Sequence, residues 1–175
     1  MGWVLLTYKL PGDSSSARVA VWREVRRSGA LQVQRSVVAF PDDPAFRRAI
    51  ERFRALVTDV GGETVAVRAE PYSDGDGGRL KDAWNAARDA EYAELTAECG
   101  KFLTEIDHEF AIGKFTFAEL EEEESELDKL ERWYDRVSSR DVHGAAGSQA
   151  AAEALALARE ALERYSAAVF ERTQP

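Results

Sequence analysis

The chain has 175 residues, 45% of them hydrophobic and 31% charged, with a net charge of −9; that is enough apolar material for one domain or two small ones and argues against a disordered chain. Charge is uneven: residues 1–72 hold 11 Lys/Arg against 8 Asp/Glu, a balance of +3, and the rest hold 12 against 24, a balance of −12. The single cysteine, Cys99, excludes a disulfide framework or a multi-thiolate zinc site within the chain, and neither a signal peptide nor a run near the ~18 apolar residues of a membrane span is present, so a cytoplasmic protein is expected.

Residues 3–10, WVLLTYKL, carry the β-branched and aromatic content of a strand, and their continuous apolar start predicts a central one. Pro11 and Gly12 end it. Asp13 and Ser14 to Ser16 offer N-cap oxygens for a helix over RVAVWREVRRSG, with Val21, Trp22 and Val25 as its apolar side and Gly29 as its stop. Leu31 and Val33 alternate with Gln32 and Gln34, and Val37 to Phe40 follow as the hairpin partner across an unusual turn, Arg35-Ser36. Pro41 ends that strand. Asp43 then caps a helix with Pro44 at its first position and Phe46, Ile50, Phe53, Val57 and Val60 on one face. ETVAVRAE, 63–70, alternates again with Val65 and Val67 together. The order βαββαβ is that of a ferredoxin-like unit.

SDGDGG, 73–78, reads as a polar, glycine-rich joint, and everything beyond it reads as helix. Leu80, Trp84, Ala87, Leu95, Cys99, Phe102, Ile106 and Phe110 lie on one face from about 79 to 111. Gly113 breaks the pattern. Thr116 and Glu119 make a capping-box signature before Leu120, Leu127, Leu130, Trp133, Tyr134 and Val137, and Ser148 opens an alanine-rich helix with Leu155, Leu162, Tyr165 and Val169 inward. The expected fold is α+β: a ferredoxin-like head at 1–72, a linker at 73–78 and a three-helix antiparallel bundle at 79–175.

Specific words add to this pattern: W-x-L-L-T-Y-K-L-P-G at 3–12, S-x-A-R-V-A-V-W-R-E-V-R-R-x-G-A at 15–30 and Q-x-S-V-x-x-x-P at 34–41, then E-Y-A-E-L-x-x-E-C at 91–99, F-x-F-A-E-L-E-E-x-E at 115–124 and K-L-E-R-W-Y at 129–134. Together they resemble the amino-terminal domain of the ChrB chromate-resistance family over nearly the whole chain. The head is also similar to the ferredoxin-like module of PaaX-type repressors and of a small CRISPR adaptation protein. The latter carries an Asp just after its first strand, where this chain has Tyr8-Lys9, so a metal-dependent nuclease is not carried over. The resemblance implies a chromate-responsive transcriptional regulator or oxyanion sensor. Complete regulators of that kind have a further carboxy-terminal domain, for which a chain ending at Pro175 is expected to leave no room.

Several residues are candidates for chemistry. The topology predicts that Lys9, Arg18, Arg35 and Ser36 meet at one sheet edge, beside a helix N-terminus, as a site for chromate, a related oxyanion or a phosphate; the competing reading is a solvated corner that fixes the turn. Arg23, Arg26 and Arg27, within a wider set that includes Arg47, Arg48, Arg52 and Arg54, are candidate DNA contacts, against arginine stems covering helix edges. Glu105 and His108 have the Glu-x-x-His spacing of di-iron bundles, but His143 has no matching Glu, so no metal is expected. In ELEEEESELD, 119–128, the inward steps between Leu120 and Leu127 fall on Glu123 and Glu124, and Arg88, Lys101 or Lys129 is expected to pair with the inward carboxylate. Cys99 reads as a core thiol. No catalytic residue and no cofactor is expected, and a homodimer is. The alternatives are a structural or partner-binding module and, more weakly, an enzyme acting on an oxyanion.

Overall fold

The computed structural model describes residues 2–12 and 14–173. Contacts divide the chain into two compact units, Met1–Ala87 and Arg88–Pro175.

The first unit holds four strands, β1 (Trp3–Lys9), β2 (Leu31–Gln34), β3 (Val37–Pro41) and β4 (Glu63–Ala69), with helices α1 (Ser15–Ser28) and α2 (Arg47–Asp59), the latter preceded by a 3-10 turn at Pro44–Phe46. All pairings are antiparallel in the order β2-β3-β1-β4, the ferredoxin-like arrangement with β1 central as its sequence predicts. Leu6, Val38 and Phe40 from the sheet and Val21, Val25, Phe53 and Val57 from the helices are buried, and Tyr8 packs edge-on against Phe53 at 5.5 Å. Fully burying side chains of this size contributes about 2 kcal/mol each.

Local signals set the helix ends. The Ser14 hydroxyl accepts from the Ala17 amide at 3.1 Å, and Gly29 closes α1 at φ 68°, a left-handed value that a Cβ would disfavour. Asp13, the other expected cap, lies outside the described residues. Asp43 caps the 3-10 turn through the Ala45 amide at 2.8 Å.

Two expectations about this unit change, and a third gains a direction. Trp22 is 61% exposed, because the buried side of α1 runs through Ala17, Val21, Glu24, Val25 and Ser28 instead. Val65 and Val67 do share a face, but they are 61% and 48% exposed, so alternation identified the face and not its direction. The glycine-rich 73–78 is not a linker: α3 (Asp74–Ile112) begins there. Ser73 and Asp76 satisfy each other, the Asp76 amide donating to the Ser73 hydroxyl at 3.2 Å and that hydroxyl to the Asp76 carboxylate at 2.6 Å. Acidic groups at Asp74 and Asp76 also suit the positive end of the helix. The start of α3 belongs to the first unit through Trp84, which is fully buried between Trp3 (6.0 Å) and Phe46 (5.3 Å).

In the second unit the rest of α3 shares one core with α4 (Phe117–Ser138) and α5 (Ser148–Thr173): Leu95, Cys99 and Ile106 from α3, Leu120, Leu130 and Val137 from α4, and Leu155, Tyr165 and Val169 from α5. The Thr116 hydroxyl caps α4 by accepting from the Glu119 amide at 3.3 Å. Cys99 is fully buried, and burial raises its thiol above the usual range. Among the described residues no helix is long and apolar enough to cross a membrane.

Candidate functional site

The hairpin corner explains its odd turn residues. β2 slips register between Gln32 and Gln34, and among the described residues no non-glycine residue takes a positive φ, so the turn needs no Gly or Asn. Tyr8 fastens it: its hydroxyl donates to the Arg35 carbonyl at 3.0 Å and its amide to the Ser36 carbonyl at 3.0 Å. The Gln32 amide adds a bond to the Gln34 carbonyl at 2.6 Å. The antiparallel register puts Lys9 at the same sheet end, opposite Glu63. Arg18, in the first turns of α1, donates to the Gly12 carbonyl at 3.2 Å. Lys9, Arg18, Arg35 and Ser36 are all exposed, and the hydrogen bonds at this corner hold the backbone.

The arginines of α1 and α2 separate into two groups. Glu24, only 5% exposed, takes Arg52 of α2 at 2.7 Å and Arg27 at 2.8 Å, a clamp between the two helices. Arg54 pairs with Glu51 at 3.3 Å. Arg23 and Arg26 are exposed and make no ion pair among the described residues. Arg18, Trp22 and Arg26 recur every four residues, which places them on one ridge of α1, with Val19 and Arg23 beside it. Arg47 and Arg48 are exposed at the start of α2.

The second unit contains a different kind of site. A cleft of about 400 Å³ between α3 and α4 is lined by seven glutamates and two lysines, with Phe102 and Leu130 as its apolar part. Glu123 is the inward member of the acidic run, 5% exposed, while Glu124 is exposed. None of its expected partners reaches it: Arg88 pairs with Glu91 at 2.6 Å, Lys101 with Glu98 at 2.6 Å, and Lys129 with Glu126. Burial, then the charges of Glu105, Glu122, Glu109 and Glu119, push the Glu123 carboxyl up to about 7. It accepts no hydrogen bond and enters no ion pair among the described residues.

Glu109, which sequence reasoning missed, is 3% exposed beside it, and its buried Oε2 has no hydrogen-bond partner. The inner stripe of α3 steps from Phe102 to Ile106 to Glu109, whereas Phe110, expected inward, is 36% exposed. That i, i+4, i+7 spacing was the available signal, and the neighbouring aromatic masked it. Gly113, at φ 70°, turns the chain so that the Lys114 amide donates to the Glu109 carbonyl at 3.1 Å. Tyr165 of α5 donates to the Lys114 carbonyl at 2.6 Å. The Lys114 ammonium thus sits 2.7 Å from Glu119 and 3.8 Å from Glu109, and the Glu119 hydrogen bond raises its pKa. Burial, then Glu109, Glu119 and Glu123, raise the Tyr165 phenol as well. His108 is exposed, and among the described residues no group of three His, Cys, Asp or Glu is placed to hold a metal ion.

A comparison with curated proteins found no match. The family model described as "Protein ChrB, N-terminal" matches residues 18–175, from the first turns of α1 through α5. The chain therefore belongs to the ChrB amino-terminal domain family.

Proposed function

We propose that this protein contributes to chromate resistance as a DNA-contacting regulatory module that acts without catalytic turnover. The observation that carries the reading is the exposed Arg18-Trp22-Arg26 ridge of α1. Guanidinium groups suit phosphate oxygens, and an indole 61% exposed on a helix has no role in its own core. The clamp at Glu24 supports it by fixing α1 against α2, so that the ridge is presented on a rigid element. The chromate context comes from the family. We assign the oxyanion to the residues expected for it from the sequence, Lys9, Arg18, Arg35 and Ser36, a set that shares Arg18 with the ridge.

Mobility shift with DNA upstream of the protein's own gene tests the reading. At low salt a complex is expected, weakened by Trp22→Ala and by Arg26→Ala and released by chromate. Lys9→Ala with Arg35→Ala should keep the shift and lose the response to chromate. A shift indifferent to Trp22 and Arg26 would remove the ridge from the interface, and no shift with any DNA would end the regulatory reading.

A second reading, a partner-binding or dimerising module, draws on the exposed Val65 and Val67 of β4. Sedimentation separates the two: a stable homodimer dissociated by Val65→Lys favours it.

A further inference from the structure

The acidic cleft of the second unit is independent of the DNA reading. Its walls carry Glu98, Glu105 and Glu109 on α3 and Glu119, Glu122, Glu123 and Glu126 on α4, against Lys101 and Lys114 alone among the described residues. Lys101 faces Glu98, and Lys114 faces Glu119 and, more distantly, Glu109. Glu126 has its own cation, Lys129. Glu105, Glu122 and Glu123 have none among the described residues. Acidic surfaces are common, but two features separate this one: Glu123 is buried in the cleft without a partner, and the Glu109 Oε2 beside it is buried and unbonded. A buried carboxyl without a donor is costly, and a cationic donor reaching Glu123 from the cleft would remove that cost.

The spacing says what kind of cation. No three carboxylates converge as metal ligands among the described residues, so the negative charge is spread along a groove rather than gathered at a point. Glu98, Glu105 and Glu109 succeed one another at one- and two-turn intervals along α3, and α4 repeats this at Glu119, Glu122 or Glu123, and Glu126. One helical turn rises about 5.4 Å, close to the separation of ammonium groups joined by three or four methylenes. Phe102 and Leu130 give such methylenes an apolar surface between the carboxylate rows. The geometry points to a binding site for a linear polyamine, its ammonium groups on Glu105, Glu109, Glu122 and Glu123 and its alkyl spacers on Phe102 and Leu130.

Binding of the cation favours the charged form of Glu123, whose carboxyl otherwise titrates near 7, so it releases a proton at neutral pH. The charges acting on that carboxyl are those of Glu105, Glu122, Glu109 and Glu119; Lys114 lines the same cleft, and the Tyr165 phenol of α5 feels the Glu123 charge.

Calorimetric titration of the full chain with spermidine tests the site, using buffers of different ionisation enthalpy to count protons. Saturable binding is expected, with proton release near pH 7 and weakening as salt is raised. Glu109→Gln with Glu123→Gln should reduce affinity at least tenfold; circular dichroism verifies the fold, and Glu123→Gln alone gives a second variant with only one altered side chain. Glu153→Gln with Glu160→Gln, on α5 outside the cleft, should change nothing. Absence of saturable binding overturns the proposal, as does an equal loss in the α5 variant. So does magnesium ion binding as tightly as spermidine, which would mean a site for small hydrated cations instead.

Discussion

Glu24 in the sheet-bearing unit and Glu123 in the helical unit are each 5% exposed, yet their surroundings are opposite. Glu24 is gripped by Arg27 and Arg52, and its burial joins two helices. Glu123 faces a wall of other glutamates with no cation of its own, and its carboxyl is driven up to about 7. Burial alone therefore says little about a carboxylate's role. A partner turns it into a structural clamp, and the lack of one leaves a charge waiting for a ligand or a proton.

The contrast can be broken most severely at the clamp. Glu24→Ala leaves Arg27 and Arg52 without their shared acceptor at the α1–α2 contact, and should cost about 2–3 kcal/mol in urea unfolding, below the full cost of a buried pair because both arginines are partly exposed. A loss under half of that would make the clamp ornamental.

Glu123→Gln should act in the opposite direction. Between the ordinary carboxyl value of 4.5 and about 7, the folded protein holds a proton on Glu123 that the unfolded chain has released, so stability falls as pH rises through that window. The Gln variant lacks this penalty. It should be more stable than the parent by about 1–3 kcal/mol at pH 8, the gain shrinking towards zero near pH 5. A pH-independent difference would show that Glu123 has an unseen partner.

Smaller effects sharpen the comparison. Ser73→Ala should remove the cap that starts α3, costing about 1 kcal/mol and speeding amide exchange in its first turn while leaving the second unit unchanged. Trp22→Ala should alter stability by no more than ~0.5 kcal/mol, as expected of a side chain standing on the outside of α1.

Periodicity made most of the fold readable. The central position of β1, the two-helix, four-strand order and the caps at Ser14, Gly29 and Thr116 were all written in local residue chemistry. What escaped it were choices made by three-dimensional neighbours. Glycines at 75, 77 and 78 read as a joint until Ser73, Asp76 and the buried Trp84 drew the segment into α3. Trp22 looked like core because its size outweighed the smaller Ala17 and Ser28 that are in fact buried on α1. In the acidic run the inward step at Glu123 was legible from Leu120 and Leu127. That Arg88, Lys101 and Lys129 all pair elsewhere was not, since pairing depends on which rotamers meet across helices.

The most direct test of this account is the titration of the Glu123 side-chain carboxyl by carbon-detected nuclear magnetic resonance in the intact chain. A midpoint of about 7 is predicted, against the ordinary 4.5, moving down when spermidine fills the cleft. A midpoint at the ordinary value, unmoved by spermidine, would contradict it.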